Sequence, residues 1–179
     1  MIKNFLFFAF VSLITIQATA QVFNTAKTLK KGTFSVGVEP MIIASGADDF
    51  LLFGHAGYGL TSGIDLGFKF GVLGSTSYVG GDVEFGINKN FSFSAGAHTY
   101  GDFGLDATFL GTYELAKNVN LFGGLDADVN FGGNVYFPVW IPLGCEIELN
   151  KSMAFVFEAS IGVYDSAPHM FGGGVNFYF

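Results

Sequence analysis

From Gly32 onward the chain alternates, with apolar residues at every second position and small or polar ones between them. Phe34, Val36 and Val38 stand against Thr33, Ser35, Gly37 and Glu39, and Ile64, Leu66, Phe68, Phe70 and Val72 against Asp65, Gly67, Lys69 and Gly71. A period of two is that of a strand with one apolar face. Similar runs begin near Phe50, Val79, Phe91, Leu105, Leu121, Val135, Met153 and Met170, which predicts about ten strands, with eight as the alternative. Three features disturb the pattern. Pro40 removes a ladder donor and predicts a bulge or irregularity towards Ala44, Phe53 breaks the small face of its strand, and Pro138 and Pro142 predict an irregular upper half for Val135 to Leu149.

The reversals between strands fall into two alternating sets. Thr61-Ser62-Gly63, Asn88-Lys89-Asn90, Ala116-Lys117-Asn118 and Asn150-Lys151-Ser152 belong to one end, and three of the four are centred on Lys. Ser45 to Asp49, Leu73 to Ser77, Gly101 to Phe103, Gly132 to Asn134 and Asp165 to His169 belong to the other. Such a succession is an antiparallel meander, and an even number of strands brings both chain ends to one side.

Composition narrows the solvent in which this meander is at home. The chain is 50% hydrophobic and 17% aromatic, with 23 Phe, but only 13% charged. That much Phe would be hazardous on a surface exposed to water. Beyond the N-terminus no apolar run approaches the roughly 20 residues of a spanning helix, so a closed barrel is the remaining way to satisfy the backbone in lipid. Parity alone does not say which face is inside. A soluble secreted β-barrel with its apolar face inward is therefore the competing architecture.

Residues 1–20 read as a signal peptide rather than as fold. Lys3 supplies the positive start, Phe5 to Ile16 the apolar core, and Ala18-Thr19-Ala20 the small-residue cleavage site. Residues 21–31 are polar, carry Lys27, Lys30 and Lys31 and show no sustained period, and are expected to be a short periplasmic lead-in to a barrel spanning residues 32–179. The net charge is −7, every basic residue is Lys, and cleavage removes one of them; this is the opposite of a nucleic-acid footprint. The single Cys145 excludes an intrachain disulfide, and its parity places it among the apolar residues as a small hydrophobe.

The last strand points to lipid rather than water. In Met170 to Phe179 the residues Phe171, Val175, Phe177 and Phe179 share one parity, Gly172, Gly174, Asn176 and Tyr178 share the other, and the chain stops on an aromatic. This strand resembles the closing strand of small bacterial outer-membrane β-barrels of the OmpA, OmpX and OmpW type. With the signal peptide and the alternating turns, the resemblance covers Gly32 to Phe179. It implies an all-β, antiparallel, up-and-down transmembrane barrel, exported by the Sec route, cleaved near Ala20 and resident in the outer membrane. Its implied partners are outer-membrane lipid and the barrel-assembly machinery, with Phe177 and Phe179 as the assembly signal. It includes no motif for one activity, so a structural or interaction role without catalysis is the first expectation. No cofactor or metal is expected, and the oligomeric state is left open.

With the apolar face turned to lipid, the lumen is expected to be lined by Glu39, His55, Asp65, Lys69, Asp82, Glu84, Glu114, Asp126, Asp128, Glu146, Glu148 and Glu158. Acids dominate this set, and inward glycines such as Gly57, Gly59, Gly71, Gly80, Gly172 and Gly174 are expected to leave room for water. A narrow cation-favouring pore is therefore the second expectation. The third is a hydrolase at the rim. A three-residue loop at Gly101 to Phe103 would set His98 directly opposite Asp106, with Ser94 and Thr108 on the same face as possible nucleophiles. A structural His–Asp hydrogen bond is the simpler reading of the same pair.

Overall fold

The computed structural model describes residues 26–44, 49–164 and 167–179. The expected signal peptide and cleavage site, residues 21–25 of the expected lead-in and parts of two loops, 45–48 and 165–166, lie outside those residues. Eleven strands follow one another: β1 (Phe34–Ala44), β2 (Asp49–Thr61), β3 (Ile64–Val72), β4 (Tyr78–Gly86), β5 (Phe91–Tyr100), β6 (Asp102–Ala116), β7 (Val119–Phe131), β8 (Val135–Tyr136), β9 (Val139–Asn150), β10 (Met153–Gly162) and β11 (His169–Tyr178).

Every neighbouring pair is antiparallel. β1 to β7 pair in sequence, β7 pairs with β9, β9 to β11 continue the sequence, and β11 returns to β1, so that ten staves close a barrel. The short β8 is not an eleventh stave. It pairs Val135 with Phe131 and Tyr136 with Asn130, in the same register in which β9 pairs Val139 with Ala127 and Ile147 with Val119. β8 and β9 are one stave broken at Phe137-Pro138.

Pro138 breaks the stave outright. Pro142 lies inside β9 and pairs with Ser160 on β10, but the ladder to β7 lapses at Ile141 and Pro142, between Trp140–Asp126 and Leu143–Gly123, so the upper half is irregular on its β7 side, as the two prolines predict. Pro40 departs from expectation. The ladder from β1 to β11 lapses at Glu39 and Pro40 but resumes at Met41–Gly172 in the same register as Val38–Val175, and the ladder to β2 runs through both residues. One stave tolerates the missing donor without a bulge, because its other neighbour still pairs. The register shifts that do occur lie at the ends of the hairpins β2–β3, β6–β7 and β9–β10.

The ends of the barrel are distinct. At one, here the terminal end, lie Phe34, Phe179 and the tight turns predicted from the Asn- and Lys-centred triplets. Asn88 Oδ1 accepts from the Asn90 N–H at 2.8 Å, and Asn150 Oδ1 accepts from the Ser152 N–H at 2.8 Å. An Asn side chain that closes its own turn explains why these triplets reverse the chain. At the other, the loop end, Gly101 takes a φ of +78°, which allows an abrupt reversal. Carried from stave to stave, the register climbs from the Gly32 end of β1 to Ala44 in one circuit, the stagger of strands tilted by about 35–45°.

Alternation sends the apolar parity outward. Phe34, Phe68, Phe93, Phe109, Phe155 and Phe171 are all exposed, on staves distributed around the whole barrel. The inner face is buried and largely polar, including Ser35, Glu39, His55, Asp65, Glu84 and Glu146. This is the reverse of a soluble barrel, whose apolar residues would be enclosed. Cys145 lies on the outer parity of β9, opposite Phe157 and Leu121.

Candidate functional site: a lumen divided into two ends

The lead-in does not stay outside the barrel. Residues 26–31 cross the terminal end of the lumen, with Ala26 and Leu29 each only 1% exposed. The Leu29 N–H donates to Asp65 Oδ2 at 2.6 Å and the Ala26 N–H donates to Thr112 Oγ1 at 2.7 Å. Extended backbone without partners cannot rest in a buried place, so polar side chains of β3 and β6 receive it. Gly59 on β2 makes room: a Cβ there would run into the Lys30 carbonyl. Lys27 lies 3.8 Å from Glu148, a pair open to solvent and worth little by itself.

Above this segment lies a hydrogen-bonded layer inside the barrel. Asn120 Nδ2 donates to Glu146 Oε2 at 3.0 Å and to Glu148 Oε1 at 3.2 Å, while the Tyr178 hydroxyl donates to Glu146 Oε1 at 3.0 Å. These bonds join β7, β9 and β11 across the inside. Ser35, Ser92, Ala154 and Asn176 complete the layer, all buried.

Two cavities that share no lining residue lie on either side of residues 26–31 and the inner wall. One lies at the terminal end between the lead-in and the turns of β2 to β6, with Lys27, Asn90 and Glu114 on its walls. The other occupies the loop half of the lumen and has a volume of about 370 Å³. Its lining brings together Lys69, Asp82, Asp126, Asp128 and Glu158 with His98 and Asp106. Among the residues singled out from sequence, Glu39, His55, Asp65, Glu84 and Glu146 are buried in the wall, whereas Glu114 and Glu148 are exposed at the terminal end.

The inner glycines leave less room than their number suggests. A Cβ on Gly71 would strike the Phe53 ring and the Tyr78 Cβ, and one on Gly80 would meet the Tyr78 hydroxyl and the His98 Cβ. The space they vacate is taken by larger side chains from neighbouring staves. Phe53, which broke the pattern in sequence, packs with Met41, Ile43 and Leu51 in an apolar cluster of the inner wall. Its ring meets Tyr78 edge-on at 5.4 Å and lies 5.6 Å below Lys69 Nζ.

His98 and Asp106 meet, though not as the sequence placed them. The turn at Gly101 is tighter than the three-residue loop expected, so His98 pairs with Gly104 and Asp106 pairs with Gly96. The slip is of two residues and leaves both side chains on the inner face. They touch diagonally, His98 Nδ1 lying 3.2 Å from Asp106 Oδ1, while His98 Nε2 lies 3.2 Å from Asn130 Oδ1 and 3.5 Å from Asp128 Oδ2. Tyr78 stacks on the imidazole at 5.5 Å. Both ring nitrogens are thus engaged by β6 and β7. The Thr108 hydroxyl donates to Asp126 Oδ1 at 2.7 Å, away from the imidazole, so the arrangement is that of a cross-strand brace. Among the described residues no three His, Cys, Asp or Glu side chains are placed to hold a metal ion.

The closing pair bears the proposed assembly residues. Phe34 N–H donates to the Phe179 carbonyl at 3.1 Å and Phe179 N–H donates to the Phe34 carbonyl at 2.8 Å; the side chains of Phe177 and Phe179 face outward.

No family model and no curated protein sequence matches the chain. Solved structures do. The KdgM porin is 12% identical, with a TM-score of 0.50 over 81% of this chain and 99% of that one. The N-terminal β-barrel domain of Pseudomonas aeruginosa OprF is 14% identical, with a TM-score of 0.43 over 83% and 98%. The attachment invasion locus protein Ail of Yersinia pestis is 10% identical, with a TM-score of 0.39 over 83% and 99%. At such identities the likeness concerns fold, and with the closed ring of staves the fold is that of the small bacterial outer-membrane β-barrels.

Proposed function

For a chain of this fold, we propose an outer-membrane protein whose lumen is a cup, closed at the periplasmic end and open towards the cell exterior, with a structural or binding role rather than transport. The terminal end is assigned to the periplasm because both ends of the barrel meet there after export and cleavage near Ala20. Lipid covers the outer aromatic face, and the assembly machinery reads Phe177 and Phe179. The observation that carries the reading is the filling of the terminal half: residues 26–31, held by Asp65 and Thr112, and the hydrogen-bonded layer around Glu146 occupy it, while the loop half keeps its cavity. The binding role lies in the loop-end cavity, which has the volume of a small-molecule site.

The acidic lumen favours a second reading, a narrow cation-favouring pore, which requires the terminal half to open. Planar-bilayer recordings of the refolded mature chain distinguish the two. The cup predicts a silent bilayer with protein demonstrably inserted. Sustained cation-selective openings would overturn the cup and establish the pore.

A further inference from the structure

The loop-end cavity has two unlike walls. Four adjacent staves, β4 to β7, turn Asp82, Asp106, Asp126 and Asp128 into it, around His98. β1, β2, β9 and β11 contribute Met41, Ile43, Leu51, Phe53, Trp140 and Met170, with Trp140 paired directly beside Asp126 at the seam of the two walls. Five carboxylates line the cavity, counting Glu158, against the single lysine Lys69. Glu158 Oε2 is buried without a hydrogen-bond partner, and His98 Nε2 lies 3.5 Å from Asp128 Oδ2. Carboxylates in a walled cavity are costly unless a positive charge or donors meet them. An apolar wall of this extent gains nothing from a small hydrated ion but gains about 25 cal/mol for each Å² of apolar ligand surface it covers.

We propose that this cavity binds an amphiphilic organic cation: a primary ammonium group seated against Asp126 and Asp128, joined to a small aromatic or aliphatic body lying on Leu51, Phe53 and Trp140. The proposal rests on the cup reading and names its ligand class. Anions are opposed by the carboxylates. A wholly apolar ligand would strip water from those groups and return no donor. A metal ion lacks a converging set of ligands among the described residues. Trp140, which lines the cavity, also suits an ammonium group, by cation–π attraction.

Trp140 is the only tryptophan in the chain, and its indole N–H donates to the Pro168 carbonyl at 2.8 Å beside the cavity. It therefore reports occupancy directly. The refolded mature protein, in maltoside micelles, is titrated with 2-phenylethylammonium while tryptophan fluorescence is followed. The same titration is made with 2-phenylethanol, ethylammonium and calcium. The expected result is a saturable change with 2-phenylethylammonium, and apparent affinities weaker by about tenfold or more for the other three. The double variant Asp126→Asn, Asp128→Asn is expected to lose about tenfold or more in affinity while keeping its heat-modifiable gel mobility. Should that variant fail to fold, Asp82→Asn on the same wall is expected to weaken the ammonium ligand and not the alcohol. Equal binding of 2-phenylethanol, an equal response to calcium, or no saturable change in folded protein would each overturn the proposal. Bilayer recordings on the same preparation keep the two readings apart. Channel openings would overturn the closed cup, whereas a silent bilayer with no saturable change would overturn the ligand alone.

Discussion

The contact between the Leu29 amide and Asp65 shows how much of the lumen's closure depends on single polar atoms. Asp65 is buried on β3, and the amide it receives comes from a segment with no regular structure of its own. Asp65→Ala leaves that amide without its acceptor, at a cost of about 1–3 kcal/mol. Hydrogen exchange at the Leu29 amide is expected to accelerate at least tenfold, with the central strands unchanged; unaltered exchange would mean that the segment is held by something else. The inward position of Asp65 was legible from alternation. Its partner was not, because residues 26–31 have no period and the contact spans 36 positions. The same holds for Phe53, whose place on the small face looked like a defect until Gly71 and Tyr78 were seen to form its pocket.

At the level of strands, sequence carried the parity well and the register less well. Every tight turn of the terminal end is visible as an Asn-, Lys- or Gly-containing triplet, and the two faces of each strand follow from it. The His98–Asp106 pairing moved by two residues because the reversal at Gly101 is tighter than its loop-like composition suggests. An even slip preserves the face, so the predicted neighbours still meet, diagonally. Pro40 taught the opposite lesson: a strand with two neighbours can lose one bond without losing its register. Closure itself depends on β1 and β11, held at the terminal end by the reciprocal Phe34–Phe179 backbone bonds. Deleting Phe179 removes both bonds and the outward terminal ring. Outer-membrane levels are expected to fall severalfold by quantitative immunoblotting; normal levels would remove Phe179 from the assembly signal.

For the whole molecule, the decisive property is the inversion of inside and outside. The aromatic parity faces out around all ten staves, and Glu39, Asp65, Glu84 and Glu146 are enclosed. An outward position near mid-height should then resent charge far more than one at the rim. Phe157 is 53% exposed within β10 and Tyr113 is 66% exposed near the terminal end of β6. Phe157→Arg is expected to cost about 2–4 kcal/mol in reversible unfolding from lipid vesicles, and Tyr113→Arg about 0–1 kcal/mol. Equal effects would mean that no apolar slab surrounds the barrel. The most direct test of the account is electrophoresis of outer-membrane fractions, boiled and unboiled, from cells making the protein. An outer-membrane barrel predicts recovery in those fractions, with the unboiled form migrating apart from the boiled one. Recovery as soluble protein, with no difference on boiling, would contradict it.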